Sequence, residues 1–166
     1  QFWIHKNHTI IFKAIAVLKQ KGFNIKVICT GKENDYRNPN YITELKKLVI
    51  DLDIVNNIMF LGFIDRQDQI ILIRNCKAII QPSYFEGWST VIEDAMAENA
   101  YILASDLKVN KEQLLNYPNY KLFNPNDESA LVELMKMKDF KQVSTDYNER
   151  FLCFGNRFME IAKEVK

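Results

Sequence analysis

Pro82-Ser83-Tyr84-Phe85-Glu86-Gly87-Trp88-Ser89-Thr90-Val91-Ile92-Glu93-Asp94-Ala95-Met96-Ala97 follows the apolar run Ala78-Ile79-Ile80 and opens an amphipathic run. That order reads strand, tight loop, helix. The loop carries Glu86, one glycine and two hydroxyls, and Asp94 follows one turn into the helix. The first turn of a helix presents unpaired N–H groups and the positive end of the dipole, which suits an anion such as phosphate. Part of the loop has a plain structural reading. Thr90-Val91-Ile92-Glu93 has the spacing of a capping box, with Thr90 as cap and Glu93 reaching back. That reading leaves Glu86 and the bulky Trp88 without an explanation.

The same alternation runs outward from this loop. Residues 7–21 place Ile11, Ala14, Ile15 and Leu18 at helical spacing, with Gly22 as a stop. Ile25 to Gly31 reads as a buried strand, and Lys32 to Asn40 as a polar loop in which Pro39 suits a helix start. Ile42, Leu45, Leu48 and Leu52 mark a second helix, and Ile58 to Gly62 a second strand. Asp65 is placed to cap a helix carrying Ile70, Ile71 and Ile73. After the Glu86 loop come strands at Tyr101 to Ser105 and Tyr120 to Phe123, with helices near 110–116 and 127–137. Phe151, Phe154, Phe158, Ile161 and Val165 share one face of a long tail helix, either core or the surface that docks another domain. Continuous apolar strands alternating with helices predict an α/β fold, a doubly wound parallel sheet covered on both faces. Ligands of such sheets bind beyond the C-terminal strand ends, where Gly31, Gly62 and Pro82-Ser83 fall.

Composition narrows the alternatives. The 166 residues suit a single domain spanning 1–166, and 48% hydrophobic with 26% charged residues is ordinary for a globular chain. A net charge of +1 gives nucleic acid no electrostatic footing, despite the aromatic-basic stretch Tyr36-Arg37-Asn38-Pro39-Asn40. No apolar run approaches a membrane span, and no signal-peptide pattern is present. Cys29, Cys76 and Cys153 are odd in number and far apart, so they read as reduced core thiols of a cytoplasmic protein. His5 and His8 sit at i, i+3 without a third ligand, so no metal site is expected. The start at Gln1-Phe2-Trp3-Ile4 reads as the interior of a longer protein.

The motif Glu86-Gly87-Trp88-Ser89-Thr90-Val91 with Asp94 is similar to the Glu-x7-Glu motif of glycosyltransferase family 4. Those are retaining enzymes built from two Rossmann-like halves, the GT-B architecture. His5-Lys6-Asn7-His8, Thr30-Gly31-Lys32, Phe60-Leu61-Gly62-Phe63-Ile64, Gln81-Pro82-Ser83 and Ala104-Ser105-Asp106 resemble further pieces of the family, in order. The match is to the C-terminal, donor-binding half, so the resemblance implies a separate N-terminal, acceptor-binding half. It implies a nucleotide-sugar donor, a glycan or lipid-linked acceptor, hexosyl transfer in polysaccharide biosynthesis, and no cofactor. It also implies a cytoplasmic protein, held at the inner face of the membrane, if at all, through the missing half.

The resemblance assigns roles residue by residue. Glu86 would contact sugar hydroxyls. The backbone amides of Gly87, Trp88, Ser89 and Thr90 would meet sugar and diphosphate, Lys6 would bind the diphosphate, and Phe63 or Ile64 the nucleobase. Gly31, at the same edge, would be a further donor-binding position. The second motif carboxylate, a ribose ligand, falls on Asp94, one methylene shorter than the family's Glu. Glu93 points about 100° away around the helix and is held as the cap. The family's second diphosphate cation falls on Gln1, which is neutral. A GT-B epimerase or phosphorylase half would share these features, and so would a non-catalytic nucleotide-binding module. Finally, the family has a strand directly before Gln1. Without it, Phe2 to Ile4 would be a stub, the strands of Cys29 and Ile79 would show open edges, and the isolated chain would be expected to associate and to transfer nothing.

Overall fold

A computed structural model describes residues 1–137, 140, 142–147, 152, 156, 159, 160 and 163. The expected tail face of Phe151, Phe154, Phe158, Ile161 and Val165 lies outside the described residues, as does Cys153. The elements run in strict alternation. They are α1 (His8–Gln20), β1 (Val27–Thr30), α2 (Tyr41–Asp51), β2 (Ile58–Gly62), α3 (Arg66–Asn75), β3 (Ile79–Gln81), α4 (Thr90–Ala97), β4 (Ile102–Ser105), α5 (Lys108–Gln113), β5 (Tyr120–Phe123) and α6 (Glu128–Met135). All strand pairs are parallel.

Two helical layers cover the strands, and β4 shows it residue by residue. Leu103 joins the core built by α1, α2 and α6, while Ile102 and Ala104 join a second core with Ile73 of α3 and Ile92, Ala95 and Met96 of α4. Successive side chains of a strand point to opposite faces, so a strand with both faces buried is apolar at every position. The expected α/β architecture, with helices on both faces of parallel strands, is the one observed.

Local boundaries differ in informative ways. β1 begins at Val27 rather than Ile25, and the Ile25 carbonyl accepts a bond from the Asn57 side chain at 2.8 Å instead. Pro39 lies two residues ahead of α2, not in its first turn. Asp65 occupies the cap position of α3, but its side chain makes no cap bond. α5 starts and stops earlier than the 110–116 pattern suggests.

The strands form two sheets, β1-β2 and β3-β4-β5. β1 and β3 each pair on one side among the described residues, and both line one groove of about 710 Å³. These are the two open edges anticipated from the strands of Cys29 and Ile79. No strand forms within residues 5–24; Ile4–Lys6 is a 3-10 turn and His8–Gln20 is helical. Gln1 to Trp3 form no strand, and Ile4 already belongs to the 3-10 turn. Phe2 donates one backbone bond to Lys32 at 3.2 Å, just past β1, and buries its ring against His8 and Phe60. Gln1 crosses Gly31 so closely that an added Cβ there would lie 2.3 Å from the Gln1 nitrogen, and Gly31 has φ +133°. Only glycine fits that approach.

Unpaired strand edges template pairing with other chains. The 166-residue chain is expected to sediment with a mass that rises with concentration. A monomer across the micromolar to millimolar range would show that the two edges are closed in solution.

Candidate functional site

The C-terminal strand ends gather the loops after β1, β2 and β3 with the turn that carries Lys6. That turn is held firmly. Asn7 takes a left-handed conformation at φ 53° and is buried. Its side-chain amide donates to the carbonyls of Pro82 (3.1 Å) and Pro125 (2.9 Å). The Tyr84 amide donates to the His5 carbonyl at 2.7 Å. Lys6 is thereby fixed against the Glu86 loop.

The ammonium of Lys6 lies 2.7 Å from Oε1 of Glu86. The same oxygen accepts from the Ser83 hydroxyl at 2.6 Å and the Gln81 amide at 2.5 Å. The Glu86 side chain is only 7% exposed. A polar group so enclosed is costly to bury without such partners. All three act on one oxygen. Oε2 takes no bond among the described residues and is the oxygen left for a ligand. Burial, then the Lys6 charge, holds His5 below its ordinary value, and burial takes His8 down to about 4. Both are neutral at pH 7, and no group of three His, Cys, Asp or Glu among the described residues could hold a metal. Cys29 is buried and its thiol is pushed up to about 12, so it is inert. Arg37, the basic residue of the aromatic-basic loop, is engaged within the molecule. It pairs with the buried Asp35 and lies 4.9 Å from the Trp3 ring centroid.

The start of α4 corrects the sequence reading by one residue. Ser89, not Thr90, is the cap; its hydroxyl accepts from the Ile92 amide at 3.4 Å. Thr90 is the first helical residue and is exposed. Glu93 is not a reciprocal cap either. It accepts from the indole N–H of Trp88 (3.0 Å), from the Gln113 amide (2.7 Å) and from the Tyr147 hydroxyl.

A second correction concerns Ser89, whose backbone amide was expected to face the ligand. It donates to Oε1 of Gln113 at 3.2 Å, and Gln113 donates back to the Ser89 carbonyl at 2.8 Å. Gln113 is fully buried and clamps the loop from α5. The amides of Gly87, Trp88, Thr90 and Val91 take no acceptor among the described residues. Gly87 has ordinary negative φ, and the place where its Cβ would sit is empty. The glycine leaves room at the loop rather than serving a strained turn.

The remaining candidates flank this point. Phe63 is 73% exposed at the end of β2, with the Lys32 ammonium 5.6 Å from its ring centroid, and Ile64 is half-buried beside it. Asp94 is mostly buried and receives both terminal nitrogens of Arg66. Gln1 stands over Gly31. Sequence reasoning missed Gln113 and Arg66. Neither lies in a motif, and their partners are 24 and 28 residues away.

The geometry is thus a parallel-sheet crevice with an oriented carboxylate, an adjacent cation and free amides at a helix start. The chain belongs to the glycosyl transferases group 1 family, whose model matches residues 1–150. It is 28% identical over 153 residues to the O-antigen chain mannosyltransferase RfbU of Salmonella typhimurium, covering 90% of this chain and 40% of that protein. The chain therefore spans less than half of that curated relative. The Anabaena Alr3699/HepE structure in complex with UDP shares the fold, with TM-score 0.71 and 23% identity over 81% of this chain and 36% of that one. So does the C-terminal domain of LpcC, a glycosyl transferase group 1 family protein from Francisella tularensis. There the TM-score is 0.69 at 20% identity, over 81% of this chain and 69% of that domain.

The reassigned cap gives a direct stability test. Ser89→Ala should cost about 1 kcal/mol in denaturant unfolding through the lost cap, whereas Thr90→Ala should stay within about 0.5 kcal/mol. The opposite ranking would restore Thr90 as the cap.

Proposed function

We propose that this chain is the donor-binding half of a retaining, nucleotide-sugar-dependent glycosyltransferase of family 4, GT-B type, completed by a second α/β half. The observation that carries the reading is the Lys6–Glu86 pair, set beside the free amides that open α4. A nucleotide-sugar donor has three chemistries to be met: a dianionic diphosphate, a polyhydroxylated sugar, and a ribose with a base. The amides of Gly87, Trp88, Thr90 and Val91 with the α4 dipole suit the diphosphate. Oε2 of Glu86 suits the sugar hydroxyls, Asp94 the ribose, directly or through a water, and Phe63 with Ile64 the base. The mannosyltransferase relative supports a hexosyl donor and a glycan or lipid-linked acceptor in polysaccharide biosynthesis.

In this reading the bond from the anomeric carbon to the β-phosphate oxygen breaks and a bond to the acceptor hydroxyl forms. The acceptor proton leaves with the nucleoside diphosphate. Lys6 and the helix start stabilise the charge that develops on the departing phosphate. Gln1 adds hydrogen bonds there but no charge. Glu86 orients the sugar so that the acceptor, brought by the other half, reaches the anomeric carbon on the face the phosphate leaves, which retains its configuration. No metal or other cofactor is invoked, and catalysis rests on positioning and leaving-group stabilisation. The reading places the protein in the cytoplasm, with any membrane attachment through the other half.

Calorimetry of the 166-residue chain with UDP, GDP and ADP tests the reading. One of the three should bind weakly, and Glu86→Gln should leave that affinity within about threefold while removing most turnover in the two-half enzyme. No binding by any of them, or robust sugar transfer by this chain alone, would overturn it.

A further inference from the structure

Arg66 is the first residue of α3, at the same strand edge as the Glu86 loop, and Asp94 is the fifth residue of α4. Each terminal nitrogen of Arg66 meets one oxygen of Asp94. The Asp94 side chain is 14% exposed and that of Arg66 60%, so the guanidinium is the exposed partner of the pair. An ionised carboxylate offers about four lone-pair positions, and a forked guanidinium fills one on each oxygen. One outward position per oxygen then remains; the two point away from each other, so the fork leaves an aligned acceptor for a single hydroxyl of a ribose.

We propose that Arg66 is a positioning residue of the nucleotide site, which fixes the short Asp94 carboxylate so that it can hold one ribose hydroxyl. The proposal rests on the reading of Asp94 as ribose ligand given above. It explains how an Asp serves where the resemblance expects a Glu. The side chain lost one methylene of reach and flexibility, and a rigid partner now sets its direction.

The pair is not needed as a helix staple. At the far end of α3, eight residues or about 12 Å along, Arg74 bridges to Glu98 of α4 at 2.8 Å. Ile73 packs with Ile92 and Met96 between the two helices. Arg74→Met therefore serves as the matched control, since it removes an equally exposed inter-helix ion pair away from the binding edge.

The test is calorimetry of the 166-residue chain with UDP, GDP and ADP, followed by the 2′,3′-dideoxy form of whichever binds most tightly. Arg66→Met should weaken the ribonucleotide about tenfold, and Asp94→Asn at least as much. The double variant should be no weaker than Asp94→Asn alone, because Arg66 acts through Asp94. Arg66→Lys should recover only part of the loss, since an ammonium cannot fork. The dideoxy nucleotide should bind the wild type and Arg66→Met equally, and Arg74→Met should match the wild type throughout. Unchanged or tighter ribonucleotide binding by Arg66→Met would overturn the proposal. An equal loss for the dideoxy nucleotide would also overturn it, by making Arg66 a phosphate contact or a fold element. If the wild type binds none of the three, the functional reading itself falls and this role falls with it.

Discussion

A carboxylate enclosed to the degree of Glu86 is stable only if its charge is answered locally. That constraint organises this end of the molecule. Lys6 answers the charge, Ser83 and Gln81 complete the shell of one oxygen, and Gln81 continues to the Ser89 hydroxyl at 3.1 Å. Because Ser89 caps α4, the same network that holds Glu86 also sets where the helix begins. Charge, loop shape and helix start are therefore one device. Loss of either ionic partner would leave the other ion poorly answered, which is more costly than never having buried the pair.

The fold supplies that device with its parts from distant places. Lys6 precedes the first helix and Glu86 follows the third strand, 80 residues later. Parallel connectivity delivers every β-to-α loop to one edge, so residues remote in sequence arrive together. Asn7 finishes the alignment by tying the Lys6 turn to the carbonyls of Pro82 and Pro125. On the far side of α4, Gln113 closes the Ser89 backbone and holds Glu93, which in turn holds the Trp88 indole. The loop is thus fixed from both flanks, while Oε2 of Glu86 and the Gly87, Trp88, Thr90 and Val91 amides stay open. A site that binds by preorganised dipoles needs such rigid support.

Much of this was legible in the chain itself. Strand β2 follows from four apolar residues ended by a glycine, and α1 from its periodicity and Gly22, because both signals are local. Lys6 and Glu86 were found through motif order, and their meeting follows from topology. The cap was misplaced because Ser89 and Thr90 are adjacent hydroxyls, each followed by residues that fit a helix start. What decides between them is Gln113, which holds the Ser89 backbone, and no local pattern encodes that. Arg66 was invisible for the same reason. An arginine opening a helix is unremarkable until another helix places a carboxylate against it. Side chains that act across elements are set by packing, and one sequence alone does not display packing.

The central claim is that an anion is received where α4 begins, beside the Lys6–Glu86 pair. Backbone amide chemical shifts of the isotopically labelled chain, followed during titration with the nucleoside diphosphate that binds, test it most directly. The account predicts the largest changes at Gly87, Trp88, Thr90 and Val91, with Ser89 moving less because Gln113 already holds its amide. Changes centred instead on the groove strands, at residues such as Val27 and Ile80, would contradict it.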